Sequence, residues 1–158
     1  MKSLVAHSNK CVGCRNCVYI CSFEHEDFFD PELSRIQIFY CEEGQLFIPN
    51  YCLQCGKDAL CVQSCPSDAL YFNENLNAVL WREEICIHCH QCILVCPYHA
   101  IALDGLFNAI LKCDLCFGSP KCVLVCPENA LEYVEMDEKV KGDLSDHTQI
   151  VLNFLKPD

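Results

Sequence analysis

The chain has 158 residues, 17 of them cysteine, and a formal charge of −11 from 11 Lys and Arg against 22 Asp and Glu. That balance argues against a nucleic-acid partner, and so high a cysteine content points to cross-links or metals as the framework of the fold. No apolar run approaches the roughly 18 residues of a membrane span, so no direct span is expected.

Met1 to His7 holds no apolar stretch long enough for a signal peptide before Ser8, Asn9 and Lys10 intervene. A cytoplasmic location with reduced thiols is the expectation, which favours metals over disulfides. Leu4-Val5-Ala6 reads as a short strand. Cys11, Cys14, Cys17 and Cys21 follow at spacings of two, two and three, with Ser22 next. Arg35 to Tyr40 and Leu46 to Ile48 alternate in polarity around Glu42 to Gln45 and predict a hairpin. A second quartet, Cys52, Cys55, Cys61 and Cys65, ends in Pro66 and has five residues before its third cysteine.

Leu70-Tyr71-Phe72 and Ala78 to Trp81, joined through Asn73 to Asn77, predict a second hairpin. The third quartet, Cys86, Cys89, Cys92 and Cys96, returns to two, two and three and ends in Pro97. Ala100 to Leu103, the turn Asp104-Gly105 and the stretch from Leu106-Phe107 predict a third hairpin. Cys113, Cys116, Cys122 and Cys126, with Pro127, repeat the spacing of the second quartet. Leu131 to Val134 is isolated in sequence, as Leu4 to Ala6 is, and pairing of the two would bring the first and last quartets together. Ser145 or Asp146 could cap a last helix with an apolar face of Ile150, Val151, Phe154 and Leu155, packed on its own domain or offered to a partner.

The run Cys86 to Pro97 carries the bacterial ferredoxin spacing, in which three thiolates on one loop hold one 4Fe-4S cubane and the fourth serves another. An internal repeat of four such groups sets the architecture. About 40 residues per cluster are too few for large apolar cores, so metal must act as core and the apoprotein is expected to be largely unfolded. Four cubanes at roughly −2 each would take the charge to about −19, and a partner with a positive docking face is expected. Zinc ribbons or a redox C-x-x-C pair leave the third and fourth cysteines of each group unexplained. Cys86-Ile87-His88-Cys89-His90 also fits the covalent haem pattern, but Cys92 and Cys96 have the better explanation in a cubane.

His88 and His90 are solvated loop residues or donors to cluster sulfur, and neither is proposed as a ligand. Arg15 and Lys112 are surface charges or raise nearby potentials. Cys41, the seventeenth cysteine, is expected as an inert buried thiol. Neither a dinucleotide fingerprint nor a phosphate loop occurs, and no catalytic residue is assigned.

With its quartets assembled, the chain resembles the four-cluster polyferredoxin subunits of tungsten and molybdenum oxidoreductases over roughly residues 3 to 136. The resemblance implies an α+β fold of tandem bacterial-ferredoxin-like dicluster units with short β-hairpins and short helices, plus a C-terminal helix at 143–158. It implies an outer module (1–50 with 97–142) interleaved with an inner one (51–96). It also implies four 4Fe-4S clusters with nested ligands. Cys11, Cys14, Cys17 and Cys126 would hold one, and Cys113, Cys116, Cys122 and Cys21 its neighbour. Cys52, Cys55, Cys61 and Cys96 would hold a third, and Cys86, Cys89, Cys92 and Cys65 the fourth. Ser22 for proline is a departure expected to alter loop stiffness rather than ligation.

The stretch Cys21 to Ile36 looks like small subunits of the tungsten aldehyde oxidoreductase class, which includes tungsten benzoyl-coenzyme A reductases. The implied role is non-catalytic electron transfer between a large tungsten or molybdenum pterin subunit and a flavin or ferredoxin redox partner. Formate dehydrogenase or hydrogenase assemblies, or a freely diffusing polyferredoxin, are the alternatives.

Overall fold

The computed structural model describes residues 1–106 and 108–156. Its strands form four antiparallel pairs, and the helices between them are mostly one turn long. Strand β1 (Lys2–Ala6) pairs with β8 (Leu131–Glu135), Leu4 opposite Tyr133, so the ends of the cysteine-bearing chain meet as expected. The hairpins are β2 (Ile36–Cys41) with β3 (Leu46–Tyr51), β4 (Leu70–Asn73) with β5 (Ala78–Trp81), and β6 (Ile101–Leu103) with β7 (Ile110–Lys112).

Strand β7 starts later than the Asp104-Gly105 turn predicts. The Asp104 carboxylate accepts from the Leu106 N–H at 2.8 Å, and its own N–H reaches the Ala109 carbonyl at 2.8 Å. Those bonds close a six-residue loop in place of a two-residue turn. Phe107, placed in a strand by the sequence reading, lies outside the described residues.

Each quartet puts its third cysteine on a helix: α1 (Asn16–Glu26), α2 (Leu60–Gln63), α3 (Gln91–Val95) and α4 (Lys121–Leu124). Helix α1 packs on α4, and α2 on α3. Two apolar clusters result. Leu4, Val18, Ile36, Tyr51, Leu115 and Leu131 belong to the first, and Ala59, Leu70, Val79, Ile101 and Ile110 to the second. Strand β5 serves both, because alternate side chains point to opposite faces: Val79 joins the second cluster while Ala78 and Leu80 join the first.

The last helix, α5 (Glu138–Phe154), begins well before the expected Ser145 or Asp146. Asp137 caps it, accepting from the Val140 N–H at 2.8 Å. Its inner face is Val140, His147 and Val151, laid on β1 and β3. Phe154 stacks on Phe39 with ring centroids 5.1 Å apart. The helix therefore packs on its own domain. No helix among the described residues is long and apolar enough to cross a membrane.

Candidate metal centres

The four cysteine loops share two left-handed positions although their sequences differ, and the fourth adds a third at Cys116, φ 44°. The second residue after the first cysteine (Gly13, Gln54, His88, Leu115) has φ between 51° and 71°, and the fourth (Arg15, Gly56, His90, Phe117) between 52° and 79°. Left-handed conformations cost most residues about 1–2 kcal/mol, yet only Gly13 and Gly56 of these eight are glycine. The path turns three thiols of each loop toward one point.

Four cavities result. Cys11, Cys14, Cys17 and Cys126 line one, and Cys21, Cys113, Cys116 and Cys122 the second. Cys52, Cys55, Cys61 and Cys96 line the third, and Cys65, Cys86, Cys89 and Cys92 the fourth. Each takes three thiols from one loop and one from another, and all sixteen are free. Cys41, the last residue of β2, faces none of these cavities and is half-buried rather than buried.

The thiols carry the signature of a crowded, desolvated site. Burial pushes Cys17 up to about 12, helped by charge on Cys11, Cys14 and Cys126. Burial likewise raises Cys55, Cys92 and Cys116 to about 11 and holds Cys113 and Cys122 higher still. Thiols gathered in this way do not ionise together unless a cation is bound. Neighbouring cavities also feel one another, Cys17 acting on Cys122, Cys52 on Cys113 and Cys61 on Cys92. Contacts give the same order: α1 packs on α4 and α2 on α3, and Gln54 of the Cys52 loop donates to the Cys113 carbonyl at 2.8 Å, so the cavities of Cys113 and Cys52 lie in the middle of a series.

Polar groups around the thiols fit a sulfur-rich anion. The Trp81 Nε1 and His90 Nε2 atoms are buried without a partner among the described residues, and both residues line the Cys65 cavity. The Ala130 N–H donates to Cys126 Sγ at 3.2 Å, and the Arg35 N–H to Cys21 Sγ at 3.3 Å. Burial opposes ionisation of Cys21, but the His25 and Arg35 donors outweigh it and hold its pKa below the usual thiol value.

His25 was not singled out by sequence reasoning. Its ring contacts the Cys21 carbonyl at 2.8 Å and Asp114 at 3.2 Å. Burial would lower its pKa, but the bonds to Asp114 and Cys21 win and raise it to about 10. His25, Asp114 and Cys116 lie close enough to hold an ion together, but Cys116 already lines the second cavity, so the trio belongs to that centre. The available signal was Ser22, since a helix that continues past Cys21 carries His25 one turn on, above its own carbonyl.

His88 and His90 are half-buried, and His88 is tied to the Asn108 carbonyl at 2.9 Å, so neither is simply solvated. Arg15 is exposed, as a surface charge would be, whereas Lys112 is buried.

A family model described as a 4Fe-4S dicluster domain matches residues 44–136. The chain belongs to the 4Fe-4S dicluster domain family. A second model, a 4Fe-4S binding domain, matches residues 8–24. The dicluster chain binds multiple 4Fe-4S clusters, as its cysteine spacing predicts, and its α+β fold of hairpins and short helices is ferredoxin-like.

Among curated proteins it is similar to the polyferredoxin-like subunit of aliphatic sulfonate oxidoreductase from Pyrococcus furiosus, 43% identical over 68% of this chain and 61% of that protein. A tetrathionate reductase subunit of Archaeoglobus fulgidus is 35% identical over 70% of this chain and 53% of its own length. The electron transport protein HydN of Escherichia coli is 31% identical over 62% and 57%. The matches thus span little more than half the length of these relatives. Among solved structures, a chain of the active site complex BamBC of benzoyl coenzyme A reductase superposes with a TM-score of 0.51 at 22% identity, covering 95% of this chain and 89% of its own, a likeness of fold.

Proposed function

We propose that this chain is the non-catalytic electron-transfer subunit of an oxidoreductase complex, passing single electrons through four 4Fe-4S clusters. The observation that carries it is the set of four cysteine-lined cavities in series, each built from three thiols of one loop and a fourth from another. The ligand sets are those four groups. The clusters belong to two interleaved dicluster modules, an outer one from the first and last quartets and an inner one from the middle two. Packing of α1 on α4 and α2 on α3 supports that division. The hairpin of β6 and β7 contributes Ile101 and Ile110 to the inner cluster of apolar residues.

When bound, each cubane accepts and releases one electron. The chain supplies the thiolates, the N–H groups toward sulfur at Cys21 and Cys126, and a largely apolar lining at the Cys52 cavity, with Leu53, Ala59, Val79 and Ile101 beside Asp58. The catalytic partner we favour is a tungsten or molybdenum enzyme of the aldehyde oxidoreductase class, working in the cytoplasm with a ferredoxin or flavin protein as the other partner. The likeness to an oxidoreductase's polyferredoxin-like subunit supports an oxidoreductase partner, and the resemblance of Cys21 to Ile36 carries the choice of class. A formate dehydrogenase or hydrogenase assembly is the second reading.

Anaerobic purification of the chain with its co-expressed genomic neighbour tests the proposal. The expected product is a complex holding about sixteen irons in this chain, with cubane EPR signals after dithionite reduction. A zinc-loaded chain without visible absorption would rule it out.

A further inference from the structure

Lys112 is only 6% exposed and stands directly before Cys113. Burying an ammonium costs several kcal/mol unless it is compensated, yet among the described residues no carboxylate forms an ion pair with it. Its Nζ donates instead to three neutral acceptors: the Val79 carbonyl, the Cys113 carbonyl at 2.9 Å and Gln54 Oε1 at 3.4 Å. Three acceptors suit the three N–H bonds of an ammonium, whereas a neutral amine would turn its lone pair against one of them. Asp114 lines the same cavity as Lys112 but is bonded to His25, so the pocket supplies Lys112 with dipoles rather than a direct ion pair.

The Gln54 amide lies in the loop between Cys52 and Cys55, donates to the Cys113 carbonyl at 2.8 Å and accepts from the Val79 N–H at 2.8 Å. Lys112 is thus clamped between the loop of the second quartet and that of the fourth. Burial pushes the Cys61 and Cys113 thiols up, and Lys112 is a charge that opposes it at both. Those thiols line different cavities, the two in the middle of the series.

We propose that Lys112 is the shared counter-charge for an electron residing on the two middle clusters, held between them by Gln54. This rests on the four-cluster reading above. A cubane taking one electron gains one negative charge and no proton, and an ammonium already desolvated and fixed beside it favours the reduced state. The middle of the wire is thereby made easier to reduce than it would be without the charge.

EPR-monitored redox titration of the complete, cluster-loaded chain tests this. In Lys112→Met, two of the four potentials should fall by the equivalent of about tenfold in the reduction equilibrium, about 59 mV for a one-electron couple. The other two should not move, and Lys112→Arg should stay near wild type. Four unchanged potentials in a fully loaded Lys112→Met protein, or four that shift together, would overturn the proposal. Should that variant lose iron, Lys112→Gln is read in the same way. Loss of iron in the Met, Gln and Arg variants alike makes Lys112 a structural residue and also overturns it. A wild-type chain with fewer than four cubanes sinks the four-cluster reading itself, at the iron count and before any variant is made.

Discussion

The first and third cysteine loops share one spacing and one backbone path, and part company at the residue after the fourth cysteine. Pro97 follows Cys96; α3 stops at Val95, and the chain turns at His99, φ 46°, whose N–H reaches the Cys96 carbonyl at 3.2 Å. The second and fourth loops do the same at Asp68 and Asn129. In the first loop Ser22 is fully buried, accepts from the Asp30 N–H at 3.1 Å and donates to the Tyr19 carbonyl at 2.9 Å. Helix α1 runs on to Glu26, where the carboxylate meets Arg35 at 2.7 Å.

Cys126 therefore takes its N–H from its own turn, at Ala130, and Cys21 from a distant segment, at Arg35. One residue decides whether a cysteine loop is closed locally or stitched to the rest of the fold. Proline has no N–H for the helix ladder and clashes with the carbonyl four residues back, so it ends the helix where serine permits it.

Removing the last cysteine of a proline-closed loop is the largest break. Cys96→Ser should cost the cluster at Cys52, Cys55 and Cys61, lowering iron from about sixteen toward about twelve, with the site of Cys86, Cys89 and Cys92 still loaded. Iron analysis with EPR distinguishes this from damage within its own loop. Next in size, Ser22→Pro should convert the first loop to the turn form of the others. It should lose the end of α1 together with the His25 and Glu26 contacts, at a cost of about 3 kcal/mol or more, seen as reduced helical circular dichroism and an earlier denaturation midpoint. The converse Pro97→Ser should cost only about 0.4–1 kcal/mol, mainly through the unfolded chain, because nothing beyond Val95 is placed to extend α3.

Helix α5 reinforces the stitched side only. It covers β3, the strand whose Phe47 lies over the first loop, and at its centre is His147, buried against Tyr51 with ring centroids 5.5 Å apart. Burial lowers its pKa to about 4 against the opposing pull of the Pro49 backbone, and His7 adds to the fall. The unfolded chain therefore binds a proton below about 6.5 that the folded chain refuses. Stability contributed by the neutral ring is complete above that value, falls as the pH drops toward about 4, and levels off below. The loss is on the order of 3 kcal/mol. His147→Phe keeps the stacked ring and removes the proton site, so the difference in denaturation midpoint between the two proteins should widen from pH 6.5 to 4.5. Parallel curves would exclude the histidine as the cause.

Spacing made the sixteen cysteines, three hairpins and the β1–β8 pair legible, because thiol repeats and two-residue alternation leave a direct trace in sequence. Helix ends were less so. The stretch from Glu138 to Asp146 has only Val140 and Leu144 as large apolar residues and contains Gly142, so the apolar face at Val151 hid a cap as early as Asp137. The burial of Lys112 leaves little trace in the sequence, since two of its three acceptors, Gln54 and Val79, come from distant segments. Left-handed positions such as His88 and Leu115 are equally invisible, because convergence of thiols imposes them where glycine would have advertised them.

The two glycines among those positions separate backbone conformation from contact. A methyl group at Gly56, φ 79°, would meet nothing within 4 Å, whereas one at Gly13, φ 71°, would stand 2.5 Å from the Phe47 ring. Gly56→Ala should thus cost only the left-handed penalty of about 1–2 kcal/mol. Gly13→Ala carries the same penalty and must also displace Phe47 from the hairpin stitched over the first loop. The double variant with Phe47→Ala should recover that excess, and a denaturation cycle of the four proteins measures it. No coupling between Gly13→Ala and Phe47→Ala would mean that the first loop is closed by its own turn after all, like the other three.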